Sequence, residues 1–285
     1  MQLHSHNATE KEVKSAMKDL GIQRAKLHGW PNTYSFTKAM GEMLVLAFAD
    51  NLCAIILRPT IITSTYKEPF PGWIEGARTM DIFVLMYGKG KSNFMIGDPD
   101  SILDVIPVDM VVNSMLAAVV HHDHNRRERS SPSSFIYHIG SSDSNVCRPL
   151  KLCDVISMMY RYFTNNPWTS MRGEVVKVRE YVLLPSITSL RRYITIHYLP
   201  LLQVLKLMNM LLYHYFDDKC AAVEKNISMV IRFAEIYRPF DGSNTKRLIT
   251  ATRSGNMSEI FFFDPNCIDW EDYFINTHFP GVVKY

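Results

Sequence analysis

The chain has 285 residues, 47% of them hydrophobic, which allows one large domain or two small ones with a sizeable core. Its 31 basic and 28 acidic residues leave a net charge of only +3, which argues against nucleic-acid binding, because that function needs a clustered basic surface. The five cysteines are odd in number and contain no Cys-x-x-Cys pair, so we expect free thiols in a reducing compartment.

Two amphipathic helices are predicted ahead of residue 50. The first covers residues 9–20. The second begins after Pro31, with Asn32 as its N-cap. Apolar positions at helical spacing predict a stripe on the second helix that faces the core, and its members are Phe36, Met40, Met43, Leu44, Ala47 and Phe48.

A tyrosine and a lysine lie four residues apart on the second predicted helix. Residues i and i+4 share a helix face, so Tyr34 and Lys38 are expected to present a phenol beside an ammonium group. A nearby ammonium favours the ionised form of a phenol, and such a phenol can donate a proton to a carbonyl oxygen while a hydride attacks the carbon. The spacing is compatible with a catalytic pair, but Tyr-x-x-x-Lys alone also occurs by chance.

An apolar run over residues 52–62 contains Pro59 and shows no alternation, which predicts a fully buried parallel strand. A loop rich in proline, glycine and aromatic residues follows at 68–76, at the sheet edge where ligands of open α/β proteins bind. Two interpretations of this loop stay open. Phe70, Trp73 and Ile74 line an acyl or nicotinamide pocket, or the segment is a surface loop with one anchoring tryptophan.

The next segments predict a helix or strand over residues 80–87, a turn over 88–97 and a buried strand over 102–107. A helix is predicted over 108–120. Asp109 suits its positive N-terminal end, so we interpret this residue as a cap rather than a catalytic acid.

Three histidines follow in a polar connection, His121, His122 and His124. Consecutive residues of a solvated loop do not converge on one ion, so no metal site is predicted there. Residues 135–140 predict the last strand of the sheet.

Beyond residue 150 the pattern is mainly helical. One helix carries an apolar stripe, made of Val155, Met158, Met159, Tyr162 and Phe163. Its end at Asn165 predicts a boundary between a first domain, residues 1–165, and a second, residues 166–285. The most apolar window, 199–216, contains a lysine and several polar residues, so it predicts a buried or membrane-surface helix rather than a span. A further helix is predicted over 226–237.

Several blocks of the sequence resemble the alcohol-forming fatty acyl-CoA reductases, in the plant, male-sterility-type branch of the extended short-chain dehydrogenase/reductase superfamily. The blocks are residues 31–42, 58–63, 67–76, 104–113, 263–274 and 280–285. The resemblance implies an α/β fold, with the C-terminal part of a Rossmann-like doubly wound parallel sheet followed by a mainly helical C-terminal domain.

The resemblance also implies a reaction: NADPH-dependent reduction of a long-chain fatty acyl-CoA to a primary fatty alcohol, for wax, suberin or pollen-wall lipid. It makes Tyr34 the proton donor. Lys38 stabilises the phenolate and holds the nicotinamide ribose. Pro59, Thr60 and Ile61 position the nicotinamide of NADPH. The expected location is intracellular, peripheral to the endoplasmic reticulum membrane or, as a second option, in a plastid.

A complete member of this family carries a glycine-rich turn for the dinucleotide, and this sequence contains no Gly-x-Gly-x-x-Gly. We therefore expect the N-terminal dinucleotide-binding half to be lacking and the chain alone to be inactive. An alternative is a non-catalytic reductase remnant that binds a lipid surface or a partner subunit. An epimerase acting on nucleotide sugars would share Tyr34 and Lys38, but not the block at 67–75 or the C-terminal block.

Overall fold

The computed structural model describes residues 9–49, 52–78, 80–125, 134–142, 149–198, 200, 203–204, 248 and 261–284. The predicted helix at 226–237 lies outside these residues, as does the window at 199–216 apart from residues 200, 203 and 204. The chain divides into two compact units. The first comprises Met1–Ile56 and Arg129–Phe135, and the second comprises Leu57–Glu128 and Ile136–Tyr285. The predicted boundary at residue 165 stays a prediction.

The described helices and strands follow one another along the chain in a mixed order. They are α1 (Glu10–Leu27), α2 (Thr33–Ala47), β1 (Ala54–Pro59), β2 (Ile61–Thr63), α3 (Met80–Gly88), β3 (Phe94–Ile96), β4 (Val105–Pro107), α4 (Val108–Asn125), β5 (Ser134–Ile139), α5 (Leu152–Asn165), β6 (Val182–Leu184) and α6 (Ile187–His197). A 3₁₀ turn (Pro265–Cys267) precedes a helical segment over residues 270–284, which we call the 270–284 helix. None of the described helices is both long and apolar enough to span a membrane.

Helix α1 ends seven residues later than predicted. Thr9 and Glu12 form a capping box at its start, in which the Thr9 amide donates to Glu12 Oε2 at 2.8 Å. These hydrogen bonds lower the pKa of Glu12. The helix continues through Gly21 because strong helix formers follow it, and a single glycine costs only about 1 kcal/mol. It stops before Gly29, whose φ of 78° is left-handed.

Helix α2 confirms the predicted N-cap and contradicts the predicted core stripe. The Asn32 side chain accepts a hydrogen bond from the Ser35 amide at 2.8 Å. No residue of α2 is buried, and Met43 and Phe48 are 68% and 75% exposed. Helical spacing fixes which residues share a face, but it does not determine whether another element covers that face.

The strands form three pairs, β1 with β5, β2 with β4 and β3 with β6. The β2–β4 and β3–β6 pairs are parallel, so the predicted α/β class is confirmed. The single strand predicted over 52–62 is interrupted at Thr60, where the chain exchanges one partner strand for another. Strand β1 is half-buried along its whole length rather than fully buried.

Several predicted elements change in length or kind. Residues 80–87 are helical, in α3, and strand β3 replaces part of the predicted turn at 88–97. Helix α4 extends to Asn125 and includes the three histidines that were predicted to lie in a solvated loop. His122 is buried, and its Nε2 lies 2.7 Å from the Tyr137 hydroxyl, which explains why this polar stretch stays helical.

Helix α5 matches its prediction, because all five residues of the predicted stripe are buried. The stretch beyond it was predicted to be mainly helical, yet it also contains β6. This strand pairs with β3 and, together with α6, forms a small core around Phe94, Leu190 and Ile194. Three residues are too short for a periodicity signal, so only the pairing reveals this strand.

Candidate active site

Helix α2 carries the predicted tyrosine and lysine in its first two turns. The Asn32 cap fixes the start of the helix. Because Tyr34 and Lys38 are four residues apart, they lie on the same side of it, one turn apart. The Lys38 ammonium lies 5.9 Å from the centroid of the Tyr34 ring. The Tyr34 side chain is 67% exposed, so a ligand can reach the phenol without any rearrangement of the helix.

The junction of β1 and β2 contains the other three predicted residues. Pro59 has no N–H group. The amide of Thr60 donates to the Ile139 carbonyl at 2.9 Å, and that of Ile61 donates to the Asp104 carbonyl at 3.3 Å. Their sheet partners therefore occupy both amides, and a backbone contact from this junction to a ligand must use a carbonyl group.

The Thr60 side chain provides a polar atom at this junction. Its hydroxyl oxygen is buried and has no hydrogen-bond partner among the described residues. The backbone of Gly140 passes close by, since a Cβ at that position would lie 2.6 Å from Thr60 Cγ2 and 2.5 Å from Asp104 Oδ1. Only glycine fits there, and this packing encloses the Thr60 hydroxyl.

Asp104 departs from the apolar run of the predicted strand because its carboxylate organises the turn after β5. Its Oδ1 accepts a hydrogen bond from the Ser141 amide at 2.7 Å, and its Oδ2 accepts one from the Ser142 hydroxyl. An aspartate within an apolar run was the available sequence signal for this contact, but the sequence does not indicate the partner.

Asp109 anchors the loop after β2. Its carboxylate accepts hydrogen bonds from three successive amides, those of Tyr66 at 2.8 Å, Lys67 at 2.8 Å and Glu68 at 3.2 Å. The predicted role as a cap of its own helix is therefore replaced by a contact across more than forty residues. The sequence does not reveal this role, because a carboxylate in the first turn of a helix also suits the helix dipole.

The loop itself is closed by Thr65. The Thr65 hydroxyl donates to the Phe70 carbonyl at 2.6 Å and accepts from the Trp73 amide at 2.9 Å. Trp73 is half-buried, while 44% of Phe70 is exposed. These contacts support an anchored loop, and the alternative role of these residues in a substrate pocket stays a prediction.

The structure thus brings Tyr34 and Lys38 together within the first unit and places Thr60 and Ile61 at a strand junction in the second. Tyr34 and Lys38 are exposed, and Thr60 has a buried hydroxyl with no partner among the described residues. The catalytic and cofactor-binding assignments of Tyr34, Lys38, Pro59, Thr60 and Ile61 stay predictions.

Known proteins resemble this chain along its whole length. Residues 2–115 match the model of the male sterility protein family. The whole chain is 43% identical to the alcohol-forming fatty acyl-CoA reductase of Simmondsia chinensis and covers 58% of that protein. It is 41% identical to the probable fatty acyl-CoA reductase 4 of Arabidopsis thaliana, again over the whole chain and 58% of the relative. The chain therefore spans somewhat more than half the length of these curated relatives.

Among solved structures, a UDP-glucose 4-epimerase from Thermotoga maritima matches 54% of this chain and 40% of its own, with 19% identity and a TM-score of 0.34. This likeness is too limited to bear on function.

Residues 2–115, together with the parallel α/β architecture, therefore resemble the male sterility protein family. The chain as a whole is similar to the plant alcohol-forming fatty acyl-CoA reductases.

Proposed function

We propose that the protein reduces a long-chain fatty acyl-CoA to a primary fatty alcohol with NADPH. The observation that carries this proposal is the exposed Tyr34–Lys38 pair on a capped helix, with 5.9 Å between the ammonium and the ring centroid. The 43% identity to the Simmondsia chinensis reductase across the whole chain supports the choice of substrate and product.

In this proposal, Tyr34 donates a proton to the carbonyl oxygen of the substrate. Lys38 stabilises the phenolate that remains, because an ammonium group lowers the free energy of a nearby anion. Its three donors also allow it to hold a ribose hydroxyl. NADPH, when bound, supplies the hydride. Reduction of a thioester to an alcohol uses two equivalents: the first replaces the carbon–sulfur bond, so that coenzyme A leaves as a thiol and an aldehyde remains, and the second reduces the aldehyde.

The β1–β2 junction is the part of the sheet that we assign to the nicotinamide ring. The amide of a nicotinamide has both a donor and an acceptor, and the buried Thr60 hydroxyl is a matching group that has no partner among the described residues. The backbone of Gly140 packs closely against the Thr60 side chain. We therefore propose that Thr60, with the adjoining Pro59 and Ile61, contacts the carboxamide.

The pyrophosphate of NADPH needs a different set of donors. A glycine-rich turn at a helix N-terminus supplies much of the affinity for a dinucleotide, and the 285 residues contain no Gly-x-Gly-x-x-Gly. We propose that this turn belongs to the part of the relatives that the chain does not span, and that turnover requires it. The 285-residue chain by itself should then show negligible NADPH-dependent alcohol formation.

The test is Tyr34→Phe in the chain extended with the N-terminal part that its curated relatives carry, assayed by NADPH oxidation and by alcohol release from a long-chain acyl-CoA. We expect kcat to fall by about 10²- to 10⁴-fold, the usual contribution of a positioned proton donor. The affinity for NADPH should change little, because the ring remains. Tyr160→Phe is the matched control, since it removes a phenol from a partly exposed site on α5. Unchanged turnover in Tyr34→Phe would falsify the assigned role.

A second variant separates the two roles of the lysine. Lys38→Met keeps the length of the side chain and removes its charge and donors. We expect a lower kcat together with a higher KM for NADPH, because both the phenolate and the ribose lose a partner. A change in kcat alone would count against the ribose contact.

A further inference from the structure

A cluster of polar side chains is buried where the 270–284 helix meets the end of β2. Its members are Thr63, Ser64, Asp81, Tyr273 and His278, and each is at most 2% exposed. All five belong to the second unit. The proposed reaction gives none of them a role, although buried polar groups need partners to offset the cost of desolvation.

His278 is at the centre of this polar cluster. Its Nδ1 lies 3.0 Å from the Ser64 hydroxyl and accepts a hydrogen bond from the Ser64 amide at 3.4 Å. Because Nδ1 is the acceptor, the ring proton belongs on Nε2, which lies 3.3 Å from Asp81 Oδ1. Those two atoms are close enough for an electrostatic contact but are not aligned for a hydrogen bond.

The π-helical geometry of the segment Tyr273–His278 brings Tyr273 to the same place. Hydrogen bonds from residue i to i+5 put residues five apart on one side of the helix, and the rings of Tyr273 and His278 stack with centroids 5.9 Å apart. The Tyr273 hydroxyl lies 2.8 Å from Thr63 Oγ1 and 2.7 Å from the Ser64 carbonyl. Burial raises the pKa of Tyr273, so the phenol remains a donor.

Ser64, His278 and Asp81 have the composition of a hydrolytic triad, but the geometry argues against that role. Ser64 and His278 have no exposed surface, and Asp81 is 2% exposed, so an acyl group cannot reach the serine hydroxyl. The cluster instead holds backbone in place.

The backbone held by this cluster directly follows the residues that we propose to contact the nicotinamide. Strand β2 begins at Ile61 and ends at Thr63, so Ser64 is three residues from Ile61. The 270–284 helix also packs closely against the loop after β2, since any side chain at Gly281 would collide with the Gly72 carbonyl. The loop between β2 and Gly72 is also held by Asp109, whose carboxylate accepts hydrogen bonds from the Tyr66 and Lys67 amides.

We propose that His278 is a positioning residue of the reductase. From the 270–284 helix it fixes Ser64, and through Ser64 it fixes the register of β2 and the Pro59–Ile61 backbone against the nicotinamide. The proposal rests on the proposed function. It differs from a purely structural role in one respect: loosening Ser64 should affect the nicotinamide half of the cofactor and not the adenosine half.

The experiment compares three variants in the same N-terminally extended chain. His278→Leu removes both contacts, His278→Asn retains an acceptor for Ser64, and Ser64→Ala removes only the hydroxyl. The last variant keeps the proposal testable if His278→Leu fails to fold, because a leucine leaves the Asp81 carboxylate buried beside an apolar group. His197→Asn, at an exposed position on α6, is the matched control.

Two ligands separate the halves of the cofactor: NADPH, and adenosine 2′,5′-bisphosphate, which has no nicotinamide. We expect His278→Leu to lower kcat by about 100-fold, the scale of a misplacement near 1 Å, and to weaken NADPH binding while that of the bisphosphate is unchanged. Ser64→Ala should show the same pattern at about tenfold, and His278→Asn should recover part of the loss. The control should behave as wild type.

The outcomes distinguish the two proposals. Absence of NADPH-dependent reduction in the wild-type protein would overturn the proposed function. An active wild type, with Ser64→Ala and His278→Asn that are folded and bind both ligands normally, would overturn only the positioning role. Equal weakening of both ligands, in step with loss of folded protein, would also overturn it, because that pattern reports stability alone.

Discussion

Helices α2 and α5 have the same kind of apolar pattern and opposite surroundings. Each carries a stripe of aliphatic, methionine and aromatic residues at helical spacing. On α5 every predicted stripe residue is buried, whereas α2 has no buried residue. The comparison separates two properties that a sequence pattern merges: which side of a helix is apolar, and what lies against that side.

The partners of α5 explain its burial. The Phe163 ring packs edge-on against Tyr87 with centroids 6.0 Å apart, and Tyr162 lies 5.4 Å from Phe279 of the 270–284 helix. Because Gly88 has no side chain, the Phe163 ring can approach the backbone of α3. These partners lie about 75 residues earlier and 117 residues later in the chain.

The largest expected effect comes from truncating one stripe residue on each helix. Phe163→Ala opens a cavity at a side chain that is 1% exposed, and we expect a loss of about 3–5 kcal/mol in unfolding free energy. Met43→Ala on α2 should change it by less than about 0.5 kcal/mol, because that side chain is mostly exposed. Urea unfolding followed by tryptophan fluorescence measures both. Similar losses for the two variants would mean that the α2 stripe is covered in solution.

Two glycines extend the comparison: Gly41 lies on α2, and Gly281 lies on the 270–284 helix that contacts α5. Their replacement by alanine should change the stability in opposite directions. Gly281→Ala forces a methyl group against the Gly72 carbonyl, and we expect about 1–3 kcal/mol of destabilisation. Gly41→Ala on α2 meets nothing within 4 Å, so the helix should gain about 0.5–1 kcal/mol from the better helix former. Thermal melts measure both variants, and an unchanged or raised melting temperature for Gly281→Ala would contradict the packing at residue 281.

The smallest effect concerns the ring that covers Phe163. Burial raises the pKa of Tyr87 to about 12 from an ordinary value of 10.0, and its hydroxyl donates to the Arg179 carbonyl at 2.8 Å. The folded state therefore binds this proton more tightly than the unfolded state. Its contribution is fully present below pH 10 and is lost as the pH rises toward about 12. Tyr87→Phe should flatten that part of the stability curve, and an unchanged slope would show that another group titrates there.

The sequence predicted correctly those elements that depend on residues close together in the chain. The Asn32 cap, strand β5 and the α5 stripe follow from the residue types and spacings within each element. The resemblance to the plant reductases was confirmed by the comparisons, and it rested on blocks of ten or so residues in the right order.

Long-range partners could not be predicted in the same way. The interruption at Thr60 depends on two partner strands that lie about 45 and 80 residues further on. His122 was interpreted as solvated because its neighbours are polar, yet Tyr137 covers it. The pairing of His278 with Ser64 leaves no sequence pattern, since each residue is unremarkable in its own segment. The proximity of Tyr34 and Lys38 could be predicted from their spacing because both are on one helix.

The contact between Ser64 and His278 spans 214 positions. During synthesis, the end of β2 leaves the ribosome long before the histidine that secures it. Thr65 and the Asp109 carboxylate can organise the neighbouring loop in the meantime, because their partners are at most 43 positions away. Final assembly of this corner must wait for residue 278 and for closure of a very long loop, which makes it a late event in folding.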